Sequence, residues 1–219
     1  GCELVDLEIA ELIREYEAGG YEENEFVKTI KARSSRPEET EKALHVYGAV
    51  KRMTEKYRLD AVTVRCFDLL GTIQTTGCLA LAILNAEGIP AACEGDTRSL
   101  LSMTILHALT GEPVFMANPS QLDAGKQEMI FAHCTIPANM PDDYTLTTHF
   151  ESGIGVALAG YMNPGPVTVF KCDESMERYY VQNAELKESL QREDLCRTQL
   201  QLFLPEGTDY FLKDPISNH

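Results

Sequence analysis

The stretch Pro90-Ala91-Ala92-Cys93-Glu94-Gly95-Asp96 decides how the chain is read. Its apolar start is a short buried strand. Its polar end runs straight into a helical stretch, Asp96 to Leu109, closed at Gly111. Upstream, Ala61-Val62-Thr63-Val64-Arg65-Cys66 reads as a second buried strand. Gly71 to Ala86 reads as a helix rich in small and aliphatic residues, closed near Gly88. Strand, helix, strand, helix predicts parallel pairing with crossover helices, an α/β layer. Both strands end in polar residues, Asp68 after the first and Glu94-Gly95-Asp96 after the second. Ligands of such sheets bind at those strand ends.

Before this layer the chain reads as helical. Leu4, Leu7, Leu12, Ile13 and Tyr16 fall on one stripe that Gly19-Gly20 ends. After a polar stretch, Tyr21 to Glu25, Ser34-Ser35-Arg36-Pro37 opens a second helix. Serine can cap there, and proline is tolerated in a first turn. Leu44, Tyr47, Val50, Met53 and Tyr57 form its apolar face, and Gly48 inside it weakens the pattern without breaking the period.

Beyond Pro113 the helical period fades. Pro113 to Ala117, Glu128 to Cys134, Tyr144 to Phe150, Gly155 to Ala159, Val167 to Lys171, Arg178 to Val181, Thr198 to Leu204 and Tyr210 to Leu212 read as short strands. Gly, Pro, Asn and Asp punctuate them, as in an antiparallel sheet or barrel. The expected fold class is therefore α/β plus all-β. A partial parallel, Rossmann-like α/β domain over 1–112 precedes an antiparallel β-barrel-like domain over 113–219. The α/β part is short of strands and opens on a helix, so the chain reads as a piece of a longer protein.

The chain has 219 residues, 44% of them hydrophobic, and a formal net charge of −15. That is enough apolar material for one large domain or two modest ones. No apolar run approaches the roughly 20 residues that span a bilayer, and the start does not read as a signal peptide. Residues 61–170 carry ten acidic residues against three basic ones, Arg65, Arg98 and Lys126. Nucleic-acid binding needs a basic footprint, and an electrostatic membrane anchor needs the same. Neither fits, nor does a polyphosphate held mainly by Lys and Arg in mid-chain. A metal or a neutral polar substrate remains compatible. The seven cysteines (2, 66, 78, 93, 134, 172, 196) show no CxxC spacing and read as reduced, mostly buried thiols of a cytoplasmic protein.

Four polar clusters interrupt apolar stretches. In Cys93-Glu94-Gly95-Asp96, Asp96 suits the N-cap of the next helix, whereas Glu94 has no such role. An acid at a buried strand end needs a partner, which a hard metal ion would supply. In Phe131-Ala132-His133-Cys134-Thr135, His133 reads as a hydrogen-bonded core histidine or a ligand. In Thr148-His149-Phe150-Glu151-Ser152-Gly153, His149 and Glu151 alternate on one strand face, which suits a paired site or a cross-strand ion pair. Ser217-Asn218-His219 ends on an imidazole that is a ligand or part of a frayed tail. Thr75-Thr76-Gly77-Cys78 opens a helix whose N–H groups could hold a polar ligand. Cys196-Arg197-Thr198-Gln199 carries an arginine that could instead pair with a carboxylate. His45 and His107 read as structural.

Ala91-Ala92-Cys93-Glu94-Gly95-Asp96, Phe115-Met116-Ala117-Asn118-Pro119, Ala132-His133-Cys134-Thr135, His149-Phe150-Glu151-Ser152-Gly153 and Cys196-Arg197-Thr198-Gln199 together resemble the L-fucose isomerase-like family, relatives of the L-arabinose isomerases. The resemblance runs from about residue 40 to the end and rests on the order and spacing of the motifs. It implies α/β domains before a β-barrel-like C-terminal domain, with this chain the later half. It implies a cytoplasmic homo-oligomer, a trimer or hexamer, that interconverts an aldose and a ketose with a divalent metal, usually manganese. The substrate class is a monosaccharide, and a proton moves between C1 and C2 through an ene-diol. Glu94 matches the first metal-binding carboxylate and His219 a late histidine ligand. His133 loosely matches a further histidine ligand of the arabinose branch. The second family carboxylate falls on Asn118, which can offer a carbonyl oxygen but cannot act as a base. The resemblance thus gives Glu94 and Asn118 the catalytic positions and Glu94, His133 and His219 the metal, while Asp96, His149 and Glu151 line the sugar pocket. Asn118 keeps open a relative that binds carbohydrate, or regulates, without catalysis.

Overall fold

The computed structural model describes residues 2–173, 175–213, 216 and 219. Ser217 and Asn218 of the terminal motif lie outside them. Three helices open the chain: α1 (Ile9–Ala18), α2 (Glu25–Arg33) and α3 (Pro37–Tyr57). α3 starts with Pro37 in its first turn and Glu38 and Glu39 toward the positive end of its dipole. It buries Leu44, Tyr47 and Val50 and ends where Arg58 turns left-handed at φ 53°. Gly48 is required by contact. A Cβ there would lie 2.1 Å from the Gly20 carbonyl oxygen and 2.9 Å from Tyr21 Cα. α2 was not expected. Its hydrophobicity is low, and its start depends on Asn24, whose side chain accepts the Val27 N–H.

The parallel pair expected around residue 90 is present. β1 (Val62–Thr63) pairs with β2 (Ala91–Ala92), Val62 beside Ala91 and Thr63 beside Ala92. The long helix expected over residues 71–86 is instead two. α4 (Phe67–Ile73) ends where Gln74 takes a left-handed φ of 52°, and α5 (Cys78–Ala86) restarts after Gly77. α5 is buried nearly throughout. Its Asn85 donates to the Ala91 carbonyl and accepts the Ala91 N–H, which satisfies the free edge of β2. α6 (Thr97–Thr110) follows β2 and is capped by Asp96, whose Oδ1 accepts the Ser99 N–H at 2.8 Å.

The rest of the chain is antiparallel. β3 (Asn118–Asp123), β4 (Glu128–His133), β7 (Gly165–Cys172), β8 (Tyr179–Ser189) and β9 (Thr198–Phe203) form one five-stranded sheet in the order β3-β4-β9-β8-β7. β5 (Asp143–Thr147) and β6 (Ala157–Tyr161) form a separate two-stranded ribbon. Among the described residues the large sheet stays open, with β3 and β7 at its edges, so no closed barrel forms. Pro113 to Ala117, read as a strand, is extended chain leading into β3. Tyr210 to Leu212, also read as a strand, lies in α7 (Asp209–Lys213), where Tyr210 stacks on Tyr180 with ring centroids 4.0 Å apart. Local aromatic content favoured a strand there, and packing on the sheet overrode it.

One core joins the helices to the parallel pair and reaches Met116, Ile136, Val156 and Leu158 from the later part of the chain. A second fills the face of the large sheet with Met129, Leu186, Leu200 and Leu202. Each fully buried aliphatic side chain contributes about 1.5–3 kcal/mol. The ends of β2 and β4 meet where these two layers face each other. No helix among the described residues is long and apolar enough to cross a membrane.

Candidate metal centre

Glu94 follows β2 in a left-handed conformation, φ 62°, and Gly95 after it is left-handed too, φ 70°. For a glutamate this backbone is strained by about 1–3 kcal/mol. Two left-handed residues reverse the chain between β2 and α6. A Cβ on Gly95 would lie 2.9 Å from Arg65 Cγ, so glycine is needed for space as well as for φ. The turn brings the Glu94 carboxylate against two imidazoles.

His133 is the last residue of β4 and is buried. Its Nδ1 lies 2.9 Å from Thr135 Oγ1, which fixes the ring and turns Nε2 toward Glu94 Oε1 at 3.7 Å. His219 approaches from the other side, Nε2 at 3.6 Å from Glu94 Oε2 and Nδ1 at 2.9 Å from Asp96 Oδ2. One ligand atom from each of Glu94, His133 and His219 lies within 4.8 Å of the other two. One carboxylate and two imidazoles, each ring turned by a hydrogen bond through its other nitrogen, fit a divalent cation.

The charges are coupled. Hydrogen bonding to His133 and His219 holds the Glu94 carboxyl well below the usual carboxylate range. Burial pushes Asp96 up, but the bonds from His219 and from the Ser99 hydroxyl and N–H outweigh it and leave Asp96 low. Burial pushes His219 down, yet Asp96 and Glu94 raise it to about 9. At neutral pH the metal-free cluster therefore holds two carboxylates against an imidazolium.

Glu94 and His133 open on a cavity of about 410 Å³, large enough for a monosaccharide. Asn118, His149 and Glu151 line the same cavity. Asn118 stands at the start of β3 opposite Ala132, one position from His133. His149 and Glu151 were expected to alternate on a strand, but they lie in the turn after β5. That turn closes on itself through the Gly153 N–H to the His149 carbonyl and the His149 N–H to the Ile154 carbonyl. His149 Nδ1 is 2.9 Å from Ser152 Oγ. Asp96 does not line this cavity; it sits behind His219 as the α6 cap. Arg197 bonds the Thr148 carbonyl and hydroxyl, holding that turn rather than pairing with a carboxylate.

Sequence reasoning missed several neighbours. Thr135 orients His133, and its only signal was its place two residues on. Ser99 and Lys171 extend the Asp96 cluster. Ser99 was findable as the residue three after a cap, whereas Lys171 had no sequence signal. Cys66, Cys78, Cys93, Cys134 and Cys196 also line the cavity, with Cys66 and Cys93 sulfurs 3.0 Å apart. All seven cysteines are free thiols, and among the described residues the group that converges closely enough for an ion is Glu94, His133 and His219.

No family model matches the chain. Two curated relatives do. The sulfoquinovose isomerase of Clostridium sp. (strain MSTE9) is 29% identical over 130 residues, covering 59% of this chain and 28% of that protein. The sulfoquinovose isomerase of Alkalicoccus urumqiensis is 25% identical over 142 residues, covering 60% of this chain and 31% of that protein. The chain thus matches less than a third of the length of either relative. Both relatives are sugar isomerases by name.

Proposed function

We propose that this chain carries the metal centre and part of the sugar pocket of an aldose–ketose isomerase related to the L-fucose isomerases. The observation that carries the reading is the convergence of Glu94, His133 and His219, two of which, Glu94 and His133, line a monosaccharide-sized cavity. The names of the two relatives agree with it, and they place a sulfonated hexose beside L-fucose and L-arabinose among the candidate substrates. The same reading carries a domain division near residue 112, a homo-oligomeric assembly, a trimer or hexamer, and a cytoplasmic setting.

Mn²⁺ suits the carboxylate-plus-imidazole set, which also permits Mg²⁺, Co²⁺ or Zn²⁺. A bound divalent ion would supply stabilisation of the negative charge that develops on the substrate. Glu94, His133 and His219 would hold it. A carboxylate must take a proton from C2 and return it to C1. Glu94 is one candidate, and Glu151 is a second because it lines the same cavity. Asp96, behind His219, orients that ring instead. Asn118 contacts sugar or ion through its amide, and His149 lines the pocket.

Asn118 also favours a second reading, a protein that binds the sugar and has lost the proton transfer. One experiment separates the two. The protein is incubated with Mn²⁺ in D₂O with sulfoquinovose, L-fucose and L-arabinose, and deuterium at C2 is followed by NMR. Metal-dependent exchange with any of them supports the isomerase. Bound metal without exchange supports a binding role or a sugar outside the three tested, and neither metal nor exchange favours the reading in which the chemistry is lost.

A further inference from the structure

Behind His219 lies a chain of groups that the reaction itself does not use. Lys171, on β7, is only 7% exposed. It borders a second cavity of about 710 Å³, lined mostly by apolar side chains, whose wall also includes Ser99 and His219. Burying an ammonium costs several kcal/mol, and a methionine would fill this position without that cost. The charge therefore needs an explanation.

We propose that Lys171 is a positioning residue for the candidate centre, fixing through Ser99 and Asp96 which way the His219 imidazole presents its nitrogens. This rests on the metal reading above. An ammonium has three N–H donors and no acceptor. Lys171 Nζ lies 2.7 Å from Ser99 Oγ, so the serine oxygen must accept there. The serine hydroxyl then sends its own proton to Asp96 Oδ2, 2.7 Å away. The Ser99 N–H occupies Asp96 Oδ1 at 2.8 Å. Both Asp96 oxygens already accept from Ser99, so the hydrogen between Asp96 Oδ2 and His219 Nδ1, 2.9 Å apart, is assigned to the histidine. His219 Nε2 is left facing Glu94. Donor direction is thus set at a cation on β7 and passed through the first turn of α6 to the imidazole. Burial pushes the Lys171 ammonium down, and the Asp96 carboxylate opposes that, so the two ends of the chain support each other.

The test uses Lys171→Met, Ser99→Ala and Lys171→Arg in the full chain, with melting curves to establish folding. Mn²⁺ affinity is measured by calorimetry. The His219 Nδ1–H signal of the metal-free protein is followed in ¹H–¹⁵N spectra. Lys171→Met and Ser99→Ala should each weaken Mn²⁺ binding roughly 10–100-fold, the range for lost partners of ligating histidines. Each should also broaden or remove the Nδ1–H signal. The double variant should bind no more weakly than either single variant, because both interrupt one path. Lys171→Arg keeps a donor-only cation beside a roomy cavity and should restore both readouts. Unchanged affinity and an unchanged signal in a folded Lys171→Met protein would overturn the proposal. If that variant does not fold, Ser99→Ala decides alone, because it deletes one oxygen and keeps the cap. If the wild type binds no Mn²⁺ but loses the signal on substitution, the positioning chain stands and the metal reading fails.

Discussion

The imidazoles of His133 and His219 stand edge to face, 5.5 Å between centroids and 75° between planes, with the Glu94 carboxylate facing both. Neither ring depends on Glu94 for its orientation. Thr135 turns the first and Asp96 the second. That independence makes the three residues separable by mutation.

Glu94→Gln should lower Mn²⁺ affinity by more than the roughly 10–100-fold expected for an outer partner, because it removes a charged donor. It should also abolish metal-dependent turnover. Calorimetry and the C2 exchange assay check both; retained turnover would remove Glu94 from the mechanism.

Thr135→Val keeps the shape of the side chain and deletes the oxygen that holds His133 Nδ1. Mn²⁺ affinity should fall roughly tenfold with little change in melting temperature. An unchanged affinity would show that the β4 backbone alone aims the ring.

Asn118→Asp adds an anionic oxygen to the wall shared by Glu94 and His133. Mn²⁺ binding should strengthen on the order of tenfold, about 1.4 kcal/mol. No change in a titration would mean that this side chain does not reach the ion.

The metal-free protein should lose stability as it is made alkaline. His219 is raised from 6.5 to about 9 in the folded chain. Its contribution is complete below the unfolded value and lost as pH rises through the folded one. Glu94 and Asp96 are lowered, so their contribution is present above the ordinary carboxylate values and lost in acid. Melting temperatures should therefore be highest between about pH 4.5 and 6.5 and fall toward pH 9. Saturating Mn²⁺ should reverse the alkaline fall, since the ion competes with the His219 proton.

Gly48→Ala should destabilise the fold by about 1–3 kcal/mol, because backbone at Gly20 and Tyr21 must give way. Chemical denaturation would measure it, and a cost near zero would show that α3 can shift away from that backbone.

Much of the site was legible because its signals are local. Two carboxylates around Gly95 at a strand end marked Glu94, and the Asp96 cap followed from ordinary helix chemistry. The parallel pair was legible for the same reason. Other features were written only in tertiary contacts. β8 runs from Tyr179 to Ser189, but exposed Val181 and buried Gln182 break its apolar-in, polar-out alternation, and burial of Gln182 becomes visible only in the folded sheet. His149 and Glu151 have strand spacing, yet hydrogen bonds within Thr148 to Ile154 favour a turn. Lys171 lies far along the chain from Ser99, and nothing in a single sequence links them.

The left-handed backbone at Glu94 sets function against fold. Glycine occupies such a conformation without strain, whereas glutamate does not. Replacing Glu94 with glycine would delete the carboxylate and relax the turn in one step. Loss of chemistry would then come with a gain in backbone stability, offset by the pairing lost with His133 and His219. A lineage released from selection for turnover could therefore abandon this carboxylate at little cost to its fold. At this position the carboxylate is carried at the expense of backbone ease, and the fold bears that strain beside His133 and His219.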